Sequence, residues 1–196
     1  DSTLGGIKAL RECRKVSLNN CSINSEEFGW RCKDLNITNS TLKSQYLLFE
    51  SEDVIIDNID FEGKYSFQYV KNVTISNSKL NTKDAFWHAE NVTVINSEVK
   101  GEYLGWYSKK LTFINCKIIG TQPLCYCEEL ILQDCEMVDC DLSFEYSDVT
   151  ANIKGSITSV KNPLSGKIVA DEIKDIILEN SVKELNAEII DLSKTK

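Results

Sequence analysis

The stretch SKKLTFINCKIIG, Ser108 to Gly120, decides the fold, because AENVTVINSEVKG carries the same pattern from Ala89 to Gly101, nineteen residues earlier. VKNVTISNSKL from Val70 and CKDLNITNSTL from Cys32 carry it again. With Val16 as position 1 of the repeat, that position falls on Leu35, Val54, Val73, Val92, Leu111, Leu130, Val149 and Ile168, a period of nineteen throughout. Position 3 reads Leu18, Ile37, Ile56, Ile75, Val94, Phe113, Leu132, Ala151 and Ala170. Alternation of these apolar residues with mostly polar neighbours is the pattern of a half-buried strand.

Position 5 holds Asn20, Asn39, Asn58, Asn77, Asn96 and Asn115, then Asp134. Asparagine tolerates the left-handed backbone of a tight bend, and its amide can bond to the same residue of the next coil. The repeat therefore predicts an asparagine ladder, expected to face inward. Position 8 is again apolar, from Ile23 to Met137, and ends a second strand. Positions 12 to 17 (YLLFES, YSFQYV, DAFWHA, YLGWYS) are rich in aromatic residues and read as a third strand.

Three short strands per turn that cannot bury a core alone describe an all-β, single-stranded parallel β-helix. The three sides are unequal, which favours the right-handed form over the left-handed one with its equal hexapeptide sides. Eight to nine coils of 19 residues are expected, within one domain spanning residues 1–196. Coils are regular over about 10–147 and irregular, forming a cap, over about 148–196. ALRECRK reads as the tail of a preceding coil, so N-terminal coils are expected to be missing, leaving an open β-edge through which copies could associate.

The chain has 196 residues, 42% of them hydrophobic and 27% charged, with a net charge of −8. That balance argues against nucleic acid and anionic membranes, which are held by clustered Lys and Arg. No run reaches the ~20 apolar residues that span a bilayer. Most of the eight cysteines share repeat positions with Ser or Ala, the pattern of small buried thiols, and this predicts a reduced, cytoplasmic protein. Cys125 and Cys127 stand one residue apart with no His nearby, so neither a metal nor another cofactor is expected. The Asn-x-Thr triplets at Asn36, Asn72 and Asn91 arise from the repeat itself.

The phrases YSFQYVKNVTISNSKL, KDAFWHAENVTV, GEYLGWYSKKLTFINC, PLCYCEELIL, LSFEYSDVTANI and SVKNPLSG resemble the bacterial domain of unknown function 3737 family. The resemblance runs from about Leu10 to Asn180. It implies a right-handed β-helix of the pectate-lyase-like superfamily and a cytoplasmic setting, and it implies no activity or catalytic residue.

Alternation along a third strand would put positions 13, 15 and 17 inside and 12, 14 and 16 outside. The large rings of position 15 (Trp30, Phe49, Trp87, Trp106, Phe144) would then belong to the core. The outward set supplies the candidate site: Asp84 and Tyr103 with Asp141 at position 12, and His88, Tyr107 and Tyr126 with Glu145 at position 16. Columns of Tyr interleaved with carboxylates suit a carbohydrate ligand along this flank. The same columns also suit a non-catalytic scaffold, since stacked rings stabilise parallel coils without a ligand. No catalytic pair is legible: Asp141 and Glu145 lie ~13 Å apart on an extended strand, and the enzyme case rests on fold analogy.

Overall fold

A computed structural model describes residues 1–195. Fifteen strands follow one another as β1 (Ser2–Gly6), β2 (Arg14–Asn19), β3 (Cys21–Ser25), β4 (Lys33–Ser44), β5 (Glu52–Gly63), β6 (Lys71–Ser76), β7 (Lys79–Asn81) and β8 (Glu90–Ile95). They continue as β9 (Glu98–Lys100), β10 (Lys109–Ile114), β11 (Lys117–Ile119), β12 (Leu130–Val138), β13 (Asp148–Lys161), β14 (Ser165–Ile177) and β15 (Glu188–Asp191). Every pairing between them is parallel, and each coil pairs with the next, as in Leu35 with Val54, Val54 with Val73 and Val73 with Val92. The chain is an all-β parallel β-solenoid of about ten coils, more than the eight or nine expected because β1 and β15 each begin or end a partial coil.

Positions 1, 3 and 8 are the core. From Leu35 onward their side chains are buried, Ile37, Ile56, Ile75, Val94 and Phe113 completely. The two strands of a coil meet at position 5, where Asn20, Asn39, Asn58, Asn77, Asn96 and Asn115 all have φ between 49° and 55°. The left-handed bend is as expected; the inward orientation is not. All six asparagines are exposed, because a left-handed residue at an outer corner throws its side chain outward. The ladder is partly made in solvent, with Asn58 Nδ2 donating to Asn39 Oδ1 at 2.8 Å and Asn115 Nδ2 to Asn96 Oδ1 at 2.9 Å.

Position 6, next inside that bend, carries Ser or Cys from Cys21 to Cys135 except at Ile59, and it does so for a hydrogen-bonding reason. Ser78 Oγ accepts from the Ile59 amide at 3.1 Å, and Cys116 Sγ donates to the Val94 carbonyl at 3.3 Å. Position 17 does the same, where Ser51 Oγ accepts from the Cys32 amide and donates to the Gly29 carbonyl. These side chains satisfy backbone groups that the bends remove from the ladders. All eight cysteines carry free thiols.

The third segment is not a strand. Residues such as 65–69, 84–88 and 103–107 form an arc in which positions 12, 14 and 16 have positive φ, for example Tyr65 at 51°, Phe67 at 58° and Tyr69 at 57°. Alternation between left-handed and ordinary backbone breaks the two-sided rule of a strand. Positions 13, 14 and 17 point inward, while 12, 15 and 16 face out. Bulky residues adopt φ above zero at a cost of about 1–2 kcal/mol each, offset here by coil-to-coil bonds such as Phe86 N to Ser66 O at 2.9 Å and His88 N to Trp106 O at 3.0 Å. The two adjacent inward positions trade volume along the rod: Phe28 with Gly29, Leu47 with Leu48, Ala85 with Phe86, Leu104 with Gly105. A Cβ on Gly105 would stand 2.7 Å from Leu124 Cδ2, so the large partner of one coil demands the small one of its neighbour.

The nineteen-residue period does not hold to the C-terminus. Cys135 faces Ile153, Val149 faces Gly166, and Ile168 faces Ala151 rather than continuing position 1. Ile153 takes a buried place opposite Cys135, so the outer-corner residue is skipped in that coil. One coil earlier an extra residue enters near Asp139: Tyr103 N bonds to Thr121 O eighteen residues on, whereas Gln122 N bonds to Asp141 O nineteen residues on. At the other end, β1 pairs only with β3 and β2 only with β4 among the described residues, leaving their outer edges free.

Candidate functional site

The outer flank of the arc is built from position 16. Tyr69, His88, Tyr107 and Tyr126 stack face to face, with ring centroids 4.8, 5.2 and 4.9 Å apart and planes within 12°. Tyr146 extends the stack at 6.1 Å, tilted by 41°. Register explains the spacing, since parallel coils repeat at about 4.8 Å, close to the distance at which flat rings pack. Below Tyr69 the same column continues as Glu50 and Arg31, paired at 2.6 Å.

Position 15 fills the space beside this stack. Trp87 and Trp106 lie parallel at 5.4 Å, and Trp106 meets Tyr103, Tyr107 and Tyr126 edge-on. The indoles are half-buried on the surface rather than in the core. Their N–H groups give the reason. Trp30, Trp87 and Trp106 Nε1 donate to the carbonyls of Tyr46, Tyr103 and Gln122 in the next coil, at 2.8, 2.6 and 2.8 Å. Gln68 Nε2 makes the equivalent bond to Asp84 O at 2.9 Å, and Cys125 Sγ approaches Leu142 O at 3.6 Å. Gln and Cys thus share a position with Trp because each offers a donor to the same carbonyl.

Of the seven residues expected to form the site, His88, Tyr107 and Tyr126 come together in one stack, and Tyr103 reaches it through Trp106. Asp84 takes a Tyr position in the neighbouring column and is only 7% exposed; burial raises its carboxyl above the ordinary range, with Lys83 opposing. The extra residue at Asp139 moves the last two. Asp141 stands at position 11, where it accepts a hydrogen bond from Thr121 Oγ1. Glu145 stands at position 15, turned toward Lys161 at 2.9 Å and within 3.4 Å of Tyr126 OH. Burial and the Glu145 charge push the Tyr126 hydroxyl up to about 12. Phe144, assigned to position 15 by a uniform period, instead occupies the buried position 14. Sequence reasoning overlooked Tyr146, hidden by the same slip, and Lys161, which lies on an irregular coil. The nineteen-residue period already put Tyr69 in the stack.

Burial works against thiolate formation at four of the cysteines. Burial pushes the thiols of Cys125 and Cys140 up to about 12 and those of Cys127 and Cys135 up to about 11. No group of three or more His, Cys, Asp or Glu side chains among the described residues could hold a metal ion.

A second surface feature is concave. At the corner between the second strand and the arc, position 10 carries small residues from Ser25 to Gly120, namely Ser25, Ser44, Gly63, Thr82, Gly101 and Gly120. A Cβ on Gly63 or Gly101 would stand 1.7 Å from the carbonyl oxygen of the coil before, so the corner is drawn tight. Two clefts of about 410 Å³ each run along it and share Asn81 as a lining residue. Sequence analysis missed this strip, although the column of small residues between charged ones was visible.

No curated protein matches the chain. Residues 1–190 match the family described as Protein of unknown function (DUF3737), and together with the solenoid of nineteen-residue coils this shows that the chain belongs to the DUF3737 family.

Proposed function

We propose that the chain is a non-catalytic interaction solenoid that docks a protein partner on its aromatic flank. One observation carries this reading: the rings from Tyr69 to Tyr126 cover one another's faces and leave their edges to solvent. A sugar stacks on a free ring face. Both faces of His88 and of Tyr107 are taken, and the indoles fill the space between the two aromatic columns that a groove would need. The edges are still well exposed, 46% at Tyr69 and 47% at Tyr107. Rigid Tyr, Trp and Arg side chains, already ordered before binding, are the residues that dominate protein interfaces.

Burial that raises the thiol pKa values, as at Cys127, makes these cysteines poor nucleophiles and fits a structural role for them. Seven buried free thiols support a reducing compartment such as the cytoplasm.

Photo-crosslinking from position 107, in the cells that make the protein, tests the reading. A single polypeptide adduct that is lost on His88→Ala supports it. Glycan-array binding by the wild type that disappears in Tyr107→Ala overturns it.

A further inference from the structure

We propose that the concave corner is a second binding site, for a linear, uncharged, polyhydroxylated chain such as a neutral oligosaccharide. Its shape selects a linear occupant. The two clefts joined at Asn81 run from Asn24 to Gly120 along the rod axis, five coil steps or about 24 Å at ~4.8 Å per step. A third cleft of about 360 Å³ continues from Asn24, Lys43 and Glu62 onto the outer face of the second strand.

Its chemistry selects a ligand that donates and accepts equally. Four lysines, Lys43, Lys64, Lys83 and Lys100, line the two clefts. They are balanced by Glu26, Glu62, Glu102 and Asp139. Two of these pairs neutralise each other already, Lys83 with Glu102 at 2.7 Å and Lys43 with Glu62 at 3.7 Å. A polyanion would have to displace those carboxylates, and a polycation those lysines, so neither gains from the local field. Lys64 and Lys100 have no carboxylate within 4 Å among the described residues, and Asn24, Gln45 and Asn81 add amides that donate and accept. Hydroxyl groups, each both donor and acceptor, can bond to either kind of partner along this lining. The floor is backbone and Ser, Gly or Thr, and among the lining residues Ile119 alone is aliphatic and none is aromatic, so specificity must come mainly from the polar groups. The corner lies on a different side of the coil from position 16, so the two surfaces can be tested apart.

Titration calorimetry with cellohexaose, maltohexaose and chitohexaose, and with a galacturonate hexamer as the polyanion, decides the matter. Wild type, Asn81→Ala, Lys100→Ala and Tyr107→Ala are compared, each checked for an unchanged circular dichroism spectrum. The expected result is binding of at least one neutral hexamer, weakened about fivefold or more by Asn81→Ala and by Lys100→Ala and unchanged by Tyr107→Ala. Binding of none of the neutral hexamers, or of the galacturonate hexamer alone, overturns the corner site and leaves the flank reading intact. Neutral-hexamer binding abolished only by Tyr107→Ala overturns both.

Discussion

Removing Trp106 tests the finding that position 15 clamps the outside of the rod. The indole N–H bonds to the Gln122 carbonyl at 2.8 Å, and the ring packs on Trp87 at 5.4 Å. Trp106→Phe keeps most of the ring and loses the donor, so it should cost about 1 kcal/mol, the net worth of one hydrogen bond. Trp106→Ala also loses the ring contacts. Truncating a fully buried large aromatic costs about 3–5 kcal/mol; Trp106 is half-buried, so about 2 kcal/mol is expected. Phe86→Ala supplies the internal comparison, because Phe86 is fully buried and stacked on Phe67 at 5.1 Å, and should cost the full ~3–5 kcal/mol. Urea unfolding followed by both fluorescence and far-ultraviolet circular dichroism gives the three values and checks that the transitions coincide. The clamp reading fails if Trp106→Phe costs nothing, or if Trp106→Ala costs as much as Phe86→Ala.

Position 18 alternates in charge along the rod, with Lys33 bound to Glu52 at 2.8 Å, Lys71 to Glu90 at 3.2 Å and Lys109 to Glu128 at 3.3 Å. Glu90→Lys puts three lysines in successive coils and should cost about 1–2 kcal/mol at low salt; the loss should shrink in 1 M NaCl, and a salt-independent loss would exclude the electrostatic cause. Asn96 has φ of 49° and is exposed, so Asn96→Ala should cost about 1–2 kcal/mol through backbone strain while Asn96→Gly costs less. Equal losses for the two would show that the amide, not the backbone, matters. Burial raises the folded pKa of Asp84 above its ordinary 3.8, so the folded state holds that proton more tightly and the wild type loses stability as pH rises through this window. Asp84→Asn should therefore raise the melting temperature at pH 7 and have little effect at pH 3; an equal shift at both values would remove charge burial as the explanation.

Period and polarity alone determined the solenoid. Residues such as Val73, Ile75 and Leu80 alternate with polar neighbours on ordinary extended backbone, so sequence spacing translates directly into side and burial. Asparagine at every nineteenth residue likewise announced the left-handed corner, because asparagine adopts that backbone more readily than most side chains. Its outward direction was not legible, since it depends on which way the whole coil closes. The arc escaped sequence reasoning for a related reason. Nothing local marks Tyr65, Phe67 and Tyr69 as left-handed, and once their φ values are positive the two-residue alternation that sorts a strand into faces no longer applies. Packing between coils decides that backbone, and with it the exposure of Trp87 and Trp106. The same holds for Asp141 and Glu145: one extra residue near Asp139 shifts both by a position, and only the pairing of Gln122 with Asp141 and of Tyr126 with Glu145 reveals it. A side chain's place in this fold is set by the coil above and the coil below, and a periodic sequence specifies those neighbours only while the count between them stays constant.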